Sequence, residues 1–102
     1  MKQPAVYIMA NRPNSTIYIG VTSDLIKRVY LHRNGLIDGF TKKYVCKSLV
    51  FFEVHHTMES AILREKQLKA GSRQKKLKLI ELKNSLWTDL YPHITGTSTS
   101  KL

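Results

Sequence analysis

At 102 residues the chain has room for one domain with a single modest core and is too short for two. Hydrophobic residues make up 42% of it, an ordinary globular share that argues for a folded protein and against a disordered one. Seventeen Lys and Arg against seven Asp and Glu give a net charge of +10, which favours an anionic partner.

In chain order, AVYIMA (5–10) is a short apolar run, NRPNST a turn marked by Pro13 and Asn14, and TIYIGV a second run. The pair predicts an antiparallel hairpin with Tyr7 and Met9 on one face, and with Tyr18 sharing a face with Thr16 and Gly20. Ser23 or Asp24 can cap a helix over LIKRVYLHR, which Asn34-Gly35 would end. Residues 36–45 read as a loop holding FTKKY, and KSLVFFEVH (47–55) as a third strand at the centre of the sheet. A second helix is expected from about Met58 to Ala70, stopping at Gly71, and a third from a Ser72 cap to about Asn84. The order ββαβαα specifies an α+β fold, a small three-stranded antiparallel sheet flanked by helices. Residues 1–94 are expected as one domain and 95–102 as a polar, disordered tail.

Nucleic acid is the leading partner, because a polyphosphate releases counterions to many cations at once. A membrane is not expected: there is no lipidation signal, and no apolar run approaches the ~20 residues a spanning helix needs. The apolar stretch in the opening MKQPAVYIMANRPN, interrupted early by Pro4, is too short for a signal peptide, and the single Cys46 excludes an internal disulfide and fits a reducing cytoplasm as a buried strand thiol.

Glu65 is the most informative position. Met58, Ala61, Ile62, Glu65 and Leu68 trace a core-facing helical stripe, with a carboxylate in its middle. Either Glu65 lies at the rim of the stripe and pairs with a nearby lysine, or it faces a cleft and holds a hard divalent ion. Arg28 and His32, four apart, share a helical stripe and could serve one phosphate, or could be a solvated arginine and a helix-end histidine. Tyr7 and Tyr18 are ordinary strand tyrosines unless nearby cations stabilise a phenolate. From Arg64 to Lys83 eight cations face two carboxylates, an imbalance that favours a phosphate-tracking surface including Lys69, Arg73, Lys75 and Lys76. Lys42 and Lys43, beside Phe40 and Tyr44, could add a second patch with rings for base stacking.

AVY (5–7) and YIG (18–20) resemble the two signature tripeptides of the GIY-YIG nuclease superfamily, and Arg28, VTSDLIKRVYLH and AILREKQLK match in order and spacing. KKLKLIEL and NSLWTDL are similar to the closing segment of its small single-domain bacterial members, which are related to the N-terminal domain of the DNA-repair excinuclease. The resemblance implies a metal-dependent endonuclease acting on DNA. Tyr18 would be the general base, directly or through a water, Tyr7 would orient the nucleophile or the scissile phosphate, and Arg28 would stabilise the pentacovalent phosphate. Glu65 would be the sole protein ligand of one Mg²⁺ or Mn²⁺, and His32 would handle a proton. Gly20 would let the backbone pack closely where the strand leaves for the helix. Ala5 replaces the name-giving glycine, and Asn84 is the candidate for an asparagine the family often places near the site. A small member has no attached DNA-binding domain, so targeting falls to its basic helices or to a protein partner. The alternative is a nucleic-acid-binding module whose nuclease site is vestigial.

Overall fold

A computed structural model describes residues 2–96. Strands β1 (Ala5–Ala10) and β2 (Ile17–Thr22) form the expected hairpin, pairing Ala5 with Thr22 and Ala10 with Ile17. Asn11 closes its turn: the backbone N–H donates to the Thr16 carbonyl at 3.2 Å, and the side-chain oxygen accepts from the Thr16 N–H at 3.1 Å. Asn14 supplies the left-handed residue, at φ 55.

Strand β3 (Ser48–Val54) pairs antiparallel with the other edge of β1, giving the order β2-β1-β3. The centre of the sheet is therefore β1 and not the 47–55 segment, which corrects the sequence expectation. A strand covered on both faces must be apolar at every position. AVYIMA meets that condition and is buried throughout, whereas β3 carries Glu53 and ends on an exposed Val54. A bulge lets Ile8 face Phe51 while Met9 faces Leu49, so the extra residue Val50 joins Phe51 on one side of the sheet.

The helices form two layers. Helix α1 (Leu25–Arg33) covers the Tyr7–Met9 face through Val29, beside Tyr91 and Ile94 of α5 (Tyr91–Thr95). Helices α3 (Met58–Ala70) and α4 (Arg73–Lys83) cover the Val6–Ile8–Ala10 face through Ala61 and Ile80, together with Trp87. The caps follow the expected chemistry, with Asp24, Thr57 and Ser72 accepting from the N–H groups of Lys27, Ser60 and Lys75.

Two short helices were not expected. The 36–45 segment holds α2 (Phe40–Lys43), set between Gly39 at φ 111 and Val45 at φ 57. One turn is too short to show a helical period, so the sequence reads as loop. The second, α5, has Pro92 in its first turn and Gly96 at φ 78 as its cap. Thr95 and Gly96, placed by the sequence in a disordered tail, thus close and cap that helix, and residues 97–102 of the expected tail lie outside the described residues.

Two side chains fasten the C-terminal segment. Asn84 donates to the carbonyls of Val50 at 3.1 Å and Thr88 at 2.8 Å and accepts from the Thr88 N–H at 3.0 Å. Asp89 accepts from the N–H groups of Leu49 at 3.0 Å and Tyr91 at 3.1 Å and pairs with Arg33. Cys46 is buried, which pushes its thiol pKa up, but it precedes β3 and does not lie in a strand. Among the described residues no helix is long and apolar enough to cross a membrane.

Candidate active site

The site starts from a missing side chain. Tyr7 pairs with Gly20 across the hairpin, and a Cβ on Gly20 would lie 2.5 Å from both Cζ and the hydroxyl oxygen of Tyr7. Glycine at 20 is what lets the Tyr7 ring lie flat across β2. Tyr18, two residues earlier on the same face, brings its ring centroid to 6.4 Å from that of Tyr7.

Helix α1 begins three residues after β2, so its stripe passes over these rings. His32 comes to 5.6 Å from the Tyr7 ring and 5.5 Å from the Tyr18 ring. Its Nε2 is 2.9 Å from the Tyr7 hydroxyl, and its Nδ1 is 2.8 Å from the Thr41 hydroxyl. Arg28, one turn earlier, brings its guanidinium near enough to the Tyr7 hydroxyl to oppose the rise of that group's pKa.

These neighbours fix the protonation states. Burial, reinforced by Tyr18 and Glu65, pushes Tyr7 up to about 12 against the opposing pull of Arg28, so it is a phenol at neutral pH. Burial and the charge of Arg28 push His32 down to about 4, so its imidazole is neutral. A neutral imidazole has one donor and one acceptor nitrogen, and Tyr7, His32 and Thr41 therefore form one directional hydrogen-bond chain.

The cluster has two depths. Tyr7, His32 and Thr41 are 0%, 3% and 3% exposed, whereas Tyr18, Arg28 and Glu65 reach solvent. Any direct contact with a substrate thus falls to the outer three.

Glu65 comes from α3, which is pinned to β3 by its neighbour Arg64. Arg64 Nε donates to Glu53 at 3.0 Å, and His55 bridges Glu53 at 2.8 Å to Ser60 at 2.6 Å. Burial pushes the Glu53 carboxyl up, but the bonds from His55 and Arg64 leave it net below its ordinary value. Glu65 lies beside the apolar stripe and pairs with Lys69 at 3.1 Å, while its charge still reaches Tyr7. It is therefore paired with a lysine at the rim of the stripe, with its charge close enough to act on Tyr7.

Among the described residues no three His, Cys, Asp or Glu side chains gather into a metal cage. A single partly exposed carboxylate suits a hard cation that keeps most of its water and takes its remaining ligands from a phosphate, as Mg²⁺ does. The donor set fits Mg²⁺ or Mn²⁺ on Glu65 in competition with the Lys69 ammonium, and it does not suit a tightly held zinc.

The cations are distributed unevenly. Lys69 and Lys76 line a groove with Ile17, Tyr18, Ile19 and Phe40. Lys42 pairs with Asp38 at 3.3 Å, and the ammonium of Lys43 stands 5.4 Å over the Tyr44 ring. Arg73 donates to the carbonyls of Ser15 at 2.6 Å and Asn14 at 3.3 Å and so ties α4 to the hairpin turn. Lys75 does not line that groove but lies in a neighbouring cleft with Arg64 and Gly71, which Lys76 also lines. Asn84 is committed to its backbone bonds with Val50 and Thr88.

One residue at the site escaped the sequence reading: Thr41 holds the far side of His32. Phe40, which the sequence offered only as a ring for base stacking, stacks on Tyr18 with centroids 6.0 Å apart and planes at 30°. Both belong to FTKKY. Its rings were visible in the sequence, but the bond from Thr41 to a histidine nine residues away was not.

The GIY-YIG catalytic domain family matches residues 3–78. A UPF0213 protein of Staphylococcus saprophyticus is 39% identical over 80 residues, covering 78% of this chain and 96% of its own. One from Staphylococcus haemolyticus is 36% identical over 81 residues, covering 79% and 98%. The solution structure of a UPF0213 protein from Bacillus halodurans superposes with a TM-score of 0.53 at 27% identity, covering 98% of this chain and 99% of its own.

Proposed function

The chain belongs to the GIY-YIG catalytic domain family, and from that premise we propose that it is a divalent-metal-dependent endonuclease that hydrolyses phosphodiester bonds, with DNA as the substrate. One observation carries the reading: a carboxylate, a guanidinium and a phenol stand at the solvent side of a buried Tyr7–His32–Thr41 chain. Structural ion pairing alone does not call for two phenols and an imidazole in mutual contact.

Tyr18 takes the proton of the attacking water, directly or through a second water. Arg28 places its planar fork against the phosphate oxygens and stabilises the added charge of the pentacovalent phosphate. Tyr7 and His32 act as positioning residues: Tyr7 holds Arg28 and His32 together, and the chain through Thr41 fixes the imidazole. Glu65 would hold the divalent ion, which when bound supplies Lewis-acid polarisation of the phosphate.

The test is cleavage of labelled single-stranded, duplex and branched DNA and a matched RNA with Mg²⁺, Mn²⁺ or EDTA. Cutting should require metal and fall at least ~100-fold in Glu65→Ala, the scale on which charge-stabilising groups act in transition states. Salt-sensitive binding without cutting of any substrate would replace this reading with a binding module.

A further inference from the structure

We infer that the groove beside Tyr18 receives an unpaired nucleobase, so that the strand cut is single-stranded or locally unpaired; this rests on the nuclease reading above. The groove has an apolar wall of Ile17, Ile19 and the Tyr18 and Phe40 rings, and a cationic wall of Lys69 and Lys76. A nucleotide presents the same two faces, an apolar π-surface and an anionic phosphate.

The rings continue outward from the site. Phe40 stacks on Tyr18, and Tyr44 follows with its centroid 4.7 Å from that of Phe40. Phe40 is 44% and Tyr44 42% exposed, although both could have been buried in a chain with only three phenylalanines and five tyrosines. Lys43 over the Tyr44 ring adds a cation beside the outermost ring. Tyr18 belongs to both the groove and the catalytic cluster, so a base held against Phe40 sits next to the phosphate served by Arg28 and Glu65. A base inside a duplex has both faces covered by its neighbours and cannot offer one to Phe40. An apolar peptide would not use the lysine wall.

The experiment reads binding without cutting. Glu65→Ala protein in EDTA is titrated into a single-stranded oligonucleotide carrying 2-aminopurine, and into the same sequence as a duplex. The single strand should bind more tightly, with a change in 2-aminopurine emission. Phe40→Ala should weaken that binding about ten-fold and abolish the emission change, with little effect on the duplex. Phe40→Leu keeps the apolar volume and removes the ring, and should lose the emission change while its circular dichroism and thermal transition match the parent. Equal binding of single strand and duplex overturns the inference, as does an unchanged emission response in a folded Phe40→Leu, or no affinity for either oligonucleotide. Loss of cleavage activity in the separate assay above would bear on the nuclease reading alone.

Discussion

The Tyr7 hydroxyl and the His32 Nε2 meet at 2.9 Å with both side chains withdrawn from solvent. Neither group can approach a substrate as the chain stands, yet each touches one that can. Tyr7 lies against Arg28, and the His32 ring lies 5.5 Å from that of Tyr18. The buried pair is a frame on which the outer residues are hung.

Thr41 is the far anchor of that frame. Thr41→Val keeps the side-chain shape but leaves the His32 Nδ1 buried without a partner, which costs about 1–3 kcal/mol. Urea unfolding should show that loss, and cleavage should fall while oligonucleotide affinity holds. Thr41→Ser should restore both. Equal behaviour of the valine and serine variants would mean that the hydroxyl does nothing for His32.

His32 makes stability depend on pH with a definite sign. Its pKa in the fold, about 4, lies below the ordinary 6.5, so between these values the unfolded chain binds the extra proton. This contribution is present above pH 6.5 and is lost as pH falls toward 4, by an amount on the order of 3 kcal/mol. Urea midpoints measured from pH 7 to pH 4 should therefore fall more steeply in the parent than in His32→Gln. Parallel slopes would contradict a neutral, buried imidazole.

Gly20 is irreplaceable for a local reason. In Gly20→Ala the new methyl meets the Tyr7 ring at 2.5 Å, so the ring must leave its place across β2. Overpacking of this kind costs about 1–3 kcal/mol. The larger effect should be on activity, a loss of ~100-fold as Arg28 and His32 lose their contact with Tyr7. A Gly20→Ala protein with parental cleavage rates would show that the arrangement of Tyr7 is immaterial.

Val45 holds a β-branched side chain at φ 57, where L-residues are strained, and it is 54% exposed. Val45→Asn should relieve the strain with little loss of packing and raise stability by about 1 kcal/mol. Thermal unfolding would register this as a rise of several degrees. A lower transition temperature would mean that the valine packs usefully at the end of α2.

The elements that were legible in the sequence rest on short-range physics. Caps at Asp24 and Ser72, the glycines that stop two helices, and the alternation of Tyr7 with Ile8 are decided within a few residues of chain. The same holds for the four-residue spacing of Arg28 and His32, which places both on one stripe whatever that stripe meets. The signature tripeptides carried the rest of the site, since they tie residues far apart in the chain to one architecture.

Strand order, burial depth and the partners of Glu65 were settled only by folding. Whether β1 or β3 is central depends on which of two apolar strands is covered on both faces, and that is a property of the assembled layers. Tyr7 and Tyr18 look alike in sequence, yet one is fully buried across Gly20 and the other opens on a groove. Thr41 and Phe40 reach the site because a single turn of helix between Gly39 and Val45 aims them back at His32 and Tyr18. Local propensity states what a segment can become, whereas hydrogen bonds and ring contacts between distant segments exist only once the sheet has brought those segments together.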